Sequence, residues 1–99
     1  MENALDVNKL YKVNPDFIRR VIAGEQVVVP TGKAAESFSG MMSLNEQGAF
    51  IWEKFEEAAT TSQVIKQALE YYSDSEGKLE DEIIGFVSES VVRGIFVEA

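Results

Sequence analysis

The stretch that decides the fold is FIRRVIAGEQVVVP, residues 17–30. Phe17–Ile22 and Glu25–Pro30 are β-branched and aromatic runs, and only Ala23 and Gly24 separate them. That pattern predicts two antiparallel strands joined by a tight two-residue turn. VVVP is the clearest strand in the chain. After Thr31 and Gly32 a polar loop, KAAES, leads into FSGMMSLN, residues 38–45. Here Phe38, Gly40, Met42 and Leu44 alternate with Ser37, Ser39, Met41 and Ser43, as in a third strand with one apolar face and one mostly serine face.

Helix signals follow. Asn45 can cap a helix with Glu46 at its positive end, running to about Glu57, and Gly48, Ile51, Trp52 and Phe55 share one face of it. Trp52 reads as a packing anchor. Thr60 and Gln63 have capping-box spacing ahead of a second helix with apolar positions Val64, Ile65, Ala68, Leu69 and Tyr72. SDSEGK, residues 73–78, breaks it. A third helix is predicted from near Lys78 to Gly94, before the apolar tail Ile95, Phe96 and Val97. At ~100° per residue, Leu79, Ile83, Phe86 and Ser90 form its core stripe, and Ile84, Val87 and Val91 widen the arc to roughly 160°. The widened flank has no assigned neighbour: it packs under the strands or forms one wall of a groove. In the other direction, residues 1–12 have little periodicity and read as a flexible N-terminal arm, with a single domain over 13–99. The expected class is α+β, winged helix-turn-helix-like: a three-stranded antiparallel sheet followed by three helices.

Composition narrows the function. The 99 residues include no cysteine and no histidine, which removes disulfides, thiolate chemistry, serine triads and the commonest metal ligand. The acidic cluster Asp74, Glu76, Glu80, Asp81 and Glu82 lacks the spacing of a calcium loop and reads as a solvated helix start, and the scattered glycines form no phosphate-binding loop. No catalytic residue, metal site or cofactor is expected. No apolar run is long enough to span a bilayer and no signal peptide is visible, so a cytoplasmic location is expected. Net charge is −8, and it is uneven. Residues 34–99 carry thirteen acidic and four basic side chains, which repels nucleic acid and membrane headgroups and attracts basic partners.

Residues 19–53, RRVIAGEQVVVPTGKAAESFSGMMSLNEQGAFIWE, resemble the PqqD-like family, named after the pyrroloquinoline quinone biosynthesis protein D. TTSQVIKQALEYYS (60–73) and DEIIGFVSESVVRGIFVE (81–98) are similar to its later helices and closing turn, so the resemblance spans about residues 11–98. GEQVVVPTG and SLNEQGAFIW are its most specific parts. The resemblance implies a non-catalytic recognition element that binds the leader segment of a ribosomally made precursor peptide and presents it to a modifying enzyme. That enzyme is often a radical S-adenosylmethionine enzyme, whose cofactors this chain has no ligands to hold. The family binds the leader as a strand added along the third strand, in a cleft beside the third helix. Carried onto this chain, the peptide-binding positions are Ser39, Met41, Met42, Ser43 and Leu44 on the strand and Ile84, Val87 and Val91 on the helix wall. Quinone cofactor, lasso-peptide and thioether-peptide pathways all stay open.

Two rival readings compete. A winged-helix DNA regulator would need a basic third helix, yet residues 76–93 carry five acidic and two basic side chains. A self-associating interaction module, monomer or weak homodimer, would pair the exposed strand with its twin in another copy.

Overall fold

Ala23 and Gly24 sit in the left-handed region, at φ 52° and 82°. Positive φ at both central positions defines the type I′ turn, whose twist matches that of the flanking strands. The turn therefore closes Phe17–Ile22 and Glu25–Pro30 into a hairpin with Ile22 opposite Glu25 and Phe17 opposite Pro30. The computed structural model describes residues 5–38, 40–73 and 77–99. In chain order the elements are β1 (Leu10–Val13), β2 (Phe17–Ile22), β3 (Glu25–Pro30), α1 (Ala34–Ser37), β4 (Met42–Leu44), α2 (Glu46–Lys54), β5 (Ala59–Thr60), α3 (Thr61–Tyr71), α4 (Leu79–Val92) and β6 (Phe96–Glu98).

The class is α+β, as expected. The strands form two antiparallel three-stranded sheets, ordered β2-β3-β4 and β5-β1-β6. The helix signals hold where local chemistry fixes them. The Asn45 side chain accepts from the Gly48 backbone N–H at 2.7 Å, and Thr60 and Gln63 make both bonds of the capping box. Glu80, Asp81 and Glu82 lie in the first turn of α4, where the helix dipole favours them. Asp74 and Glu76 lie outside the described residues.

Four expectations are corrected. Residues 10–12, expected in a flexible arm, belong to Leu10–Val13, the central strand of the second sheet, with Tyr11 in the core. Part of the polar loop, Ala34–Ser37, is a single helical turn. The first long helix stops at Lys54, three residues short of Glu57. The apolar tail is the strand β6, paired with β1 from Tyr11–Glu98 to Val13–Phe96. The second sheet escapes local reading because its strands are two to four residues long and their partners lie far apart in sequence.

One core joins these parts. Phe96 is its hub: its ring centroid lies 4.8 Å from that of Phe55, 5.6 Å from Trp52 and 6.1 Å from Phe86. Phe17, Val28, Ile51, Val64, Ala68, Leu79, Ile83 and Val87 belong to the same buried cluster. Each fully buried apolar side chain of this size contributes about 1.5–3 kcal/mol relative to exposure, so β6 is as much a core element as any helix. Trp52 is buried, in line with its role as an anchor. Leu69, in contrast, is exposed, and Tyr72 is the C-cap of α3.

Candidate functional site

Among the described residues β4 has only β3 as a neighbour, so its other side is a sheet edge. Turn geometry decides which backbone groups that edge presents. A two-residue type I′ turn is closed by a hydrogen-bonded pair, here Ile22–Glu25, and such pairs alternate along an antiparallel ladder. Val27 therefore bonds to β2, while Gln26 and Val28 turn their N–H and C=O towards Leu44 and Met42. Ser43, opposite Val27 in the non-bonded position, directs its N–H and C=O away from the sheet. Side chains alternate in the same register. Met42 and Leu44 point inward against the core cluster, whereas Ser43 is exposed and Met41 is 57% exposed. Ser39 lies outside the described residues.

The partner of this edge on the helical side is α4, reached through Gly48. A Cβ placed on Gly48 would lie 3.3 Å from the Phe86 ring, 3.4 Å from the Leu44 side chain and 3.2 Å from Asn45 Oδ1. Any side chain there would crowd all three, so glycine eases the close convergence of α2, β4 and α4. Further back along the chain, the Arg93 guanidinium sits 5.5 Å from the Phe38 ring centroid, and Phe38 meets Phe17 edge-on at 5.1 Å. Phe38 thus lies beside the C-terminal end of α4 at Arg93, and Leu44 near its middle at Phe86.

This placement revises the helix wall. Val87 is 0% exposed and lies in the core cluster, so it offers no surface to a ligand. Ile84 and Val91 are half-buried against the core, but at ~100° per residue they stand about 140–160° around the α4 axis from Phe86. Phe86 and Arg93 approach the β4 side instead. Periodicity placed Phe86 in the core stripe and could not tell one flank from the other. The signal that could have found it is Gly48, a glycine on the apolar face of α2 that marks the close approach of a bulky neighbour.

Charge around the site is mostly negative. Glu82 accepts from Gln47 Nε2 at 3.4 Å, tying α4 to α2, and Glu89 lies 4.0 Å from Arg93. At the Leu44 end, a groove of about 620 Å³ opens between the hairpin tip and the start of α2, lined by Gln26, Ser43, Leu44, Asn45, Glu46 and Ala49 among others. Glu46 also bears on Tyr72, whose phenol is pushed above 10.0, first by burial and then by the Glu46 charge. Among the described residues no three carboxylates converge as metal ligands would, and no helix is long and apolar enough to cross a membrane. The arrangement is suited to holding an extended chain: backbone groups at one edge, apolar side chains beside them and carboxylates on the rim.

The model of the family described as Coenzyme PQQ synthesis protein D (PqqD) matches residues 25–95, a span that contains β3, β4, α2, α3 and α4. No curated protein and no solved structure gives a significant match.

Proposed function

The chain belongs to the PqqD family, and from that premise we propose that it captures the leader segment of a ribosomally made precursor peptide and presents it to a modifying enzyme. The family comprises accessory proteins of PQQ biosynthesis that bind a precursor and do no catalysis themselves. The leader adds as a strand along β4. The observation that carries this reading is the outward-facing backbone of Ser43, flanked by exposed Met41 and by Phe86 and Arg93 of α4.

Magnitudes indicate how affinity is divided. β4 is three residues long, so the edge supplies few backbone bonds, each worth about 1 kcal/mol net. Micromolar binding needs about 8 kcal/mol, so leader side chains must bury apolar surface against Met41 and Phe86. Unbranched, polarizable Met41 suits that task. The hairpin followed by α2, α3 and α4 is read as a winged helix-turn-helix-like arrangement, but the acidic first turn of α4 disfavours DNA. Any iron–sulfur or S-adenosylmethionine chemistry resides in the partner enzyme, and the quinone, lasso and thioether pathways remain equal alternatives. The setting is the cytoplasm, where precursor peptides are made.

A nitrogen–proton NMR titration with precursor peptides encoded beside the gene tests the reading. Shifts concentrated on Met41–Leu44 and on Phe86–Arg93 are expected. If no such peptide moves those signals at high micromolar concentration, leader capture is wrong. The unpaired β4 edge also favours a second reading, pairing with another copy, which sizing chromatography over a concentration series would reveal.

A further inference from the structure

The chain stays extended for one residue beyond β4. Asn45 has φ −77° and ψ −178° before α2 begins at Glu46. Continued by one step, the β3–β4 register sets Asn45 across from Glu25, as Leu44 lies across from Gln26. A leader strand paired with Ser43 therefore carries the residue two positions further on past Asn45, about 7 Å away and on the same face. That is where the groove of about 620 Å³ opens.

The lining decides what this groove accepts. Among the described residues its charged lining is Glu25 and Glu46, both exposed and neither in an ion pair. By register Arg20 stands diagonal to Glu25, yet the two form no ion pair. Apolar walls are few, chiefly Leu44 and Ala49, so an apolar side chain finds little to bury against. An anion is disfavoured as well, because the Asn45 side chain already takes the Gly48 N–H at the start of α2. One turn along α2 from Glu46 stands Phe50, whose ring centroid lies 5.3 Å from that of Tyr71 and 5.4 Å from that of Tyr72. This cluster already draws the Lys54 ammonium to 5.1 Å from the Phe50 ring. Burial and then the Glu46 charge raise the Tyr72 phenol, which sets Glu46 beside the same cluster. Two carboxylates and neighbouring aromatic rings favour one chemistry, that of a cation.

We infer that the groove is a subsite for a lysine or arginine side chain of the leader, two residues beyond the one paired with Ser43, recognised by Glu46 and Glu25. The inference rests on the leader-capture reading and adds a sequence requirement to it. It also fixes direction. The Arg93 guanidinium stands beside Phe38 at the other end of the edge, so a leader bound in reverse would turn its cation towards Arg93 and leave both carboxylates unmatched.

The test uses the full chain and synthetic leader peptides encoded beside the gene, in native sequence and with each lysine or arginine changed singly to glutamine. Calorimetry at low salt measures each peptide against wild type, Glu46→Gln and the double variant Glu25→Gln/Glu46→Gln, with thermal melts confirming that the variants fold. Losing the matching cation from the leader should weaken wild-type binding about fivefold. The double variant should lose a similar factor for the native leader and nothing further for the altered one. A leader with glutamate at that position should bind Glu46→Lys better than wild type. Native-leader affinity unchanged in the double variant overturns the inference and leaves leader capture standing, as does tight binding of a leader that contains no lysine or arginine. Coupling without shifts of the Ser43 amide supports the subsite and removes strand addition. If wild type binds no leader at high micromolar concentration, both readings fall. A dimer in sedimentation equilibrium that the double variant dissociates would assign the groove to a second copy and overturn the inference too.

Discussion

Ser43→Pro is the substitution that separates strand addition from other ways of holding a peptide. Proline removes the residue's N–H, and at position 43 that N–H points away from β3. The ladder bonds of Met42 to Val28 and of Leu44 to Gln26 survive. Proline is tolerated in edge strands when its nitrogen faces solvent, and it holds the preceding residue extended, which Met42 already is. The variant should therefore fold. A bound leader, however, loses one backbone bond and keeps an unpaired carbonyl, at a cost of about 1–3 kcal/mol. Affinity then falls about 5- to 150-fold. Isothermal titration of precursor peptide into wild type and variant measures this, with thermal melts as the control. Met42→Pro is the contrast, because it breaks a ladder bond and removes a side chain packed on the core, and it should unfold the sheet at lower temperature. Amide exchange supplies an independent check: Met42 and Leu44 should be protected in the free protein, and Ser43 only once the leader is bound. A folded Ser43→Pro protein with wild-type affinity, or a free-state Ser43 amide as slow as its neighbours, refutes the reasoning.

Other outcomes follow from particular residues. Ala23 occupies the left-handed region, where asparagine is favoured in this turn, so Ala23→Asn should stabilise by about 0.5–1 kcal/mol, read as a rise in melting temperature. Tyr11→Ala empties a buried site between the two ends of the chain, and urea unfolding should register a loss of about 3–5 kcal/mol. Tyr72 favours its neutral form when folded, so its contribution to stability is complete below pH 10.0 and is lost as pH rises through its raised value. Ultraviolet titration of wild type against Tyr72→Phe should assign a late ionisation to Tyr72, and Glu46→Gln should bring it earlier.

The parts legible in the sequence are those in which neighbouring residues carry the information. The Ala23–Gly24 turn, the Asn45 cap and the Thr60–Gln63 box each specify their geometry within four residues, and all three occur as read. The second sheet was not legible because Leu10 meets Thr60 and Lys12 meets Val97, and no local period encodes such distances. For the site, alternation gave the correct inward and outward faces of residues 41–44. Which flank of α4 lies nearest β4 was not legible for another reason: an apolar arc shows that two flanks are covered but not which neighbour covers each. Leu44 and Phe86 crowd Gly48, and that three-way contact exists only once α2 and α4 have packed.

If the leader adds to β4 as proposed, the alternation along that strand also acts as a ruler. A leader displaced by one residue would turn every side chain to the opposite face, whereas a displacement of two keeps its faces and moves the attached peptide by about 7 Å. Distance from the anchored leader to the reactive residue is therefore counted in pairs. Inserting two residues between them shifts the target by one step, and inserting one forces the leader either to abandon its register or to present the wrong side.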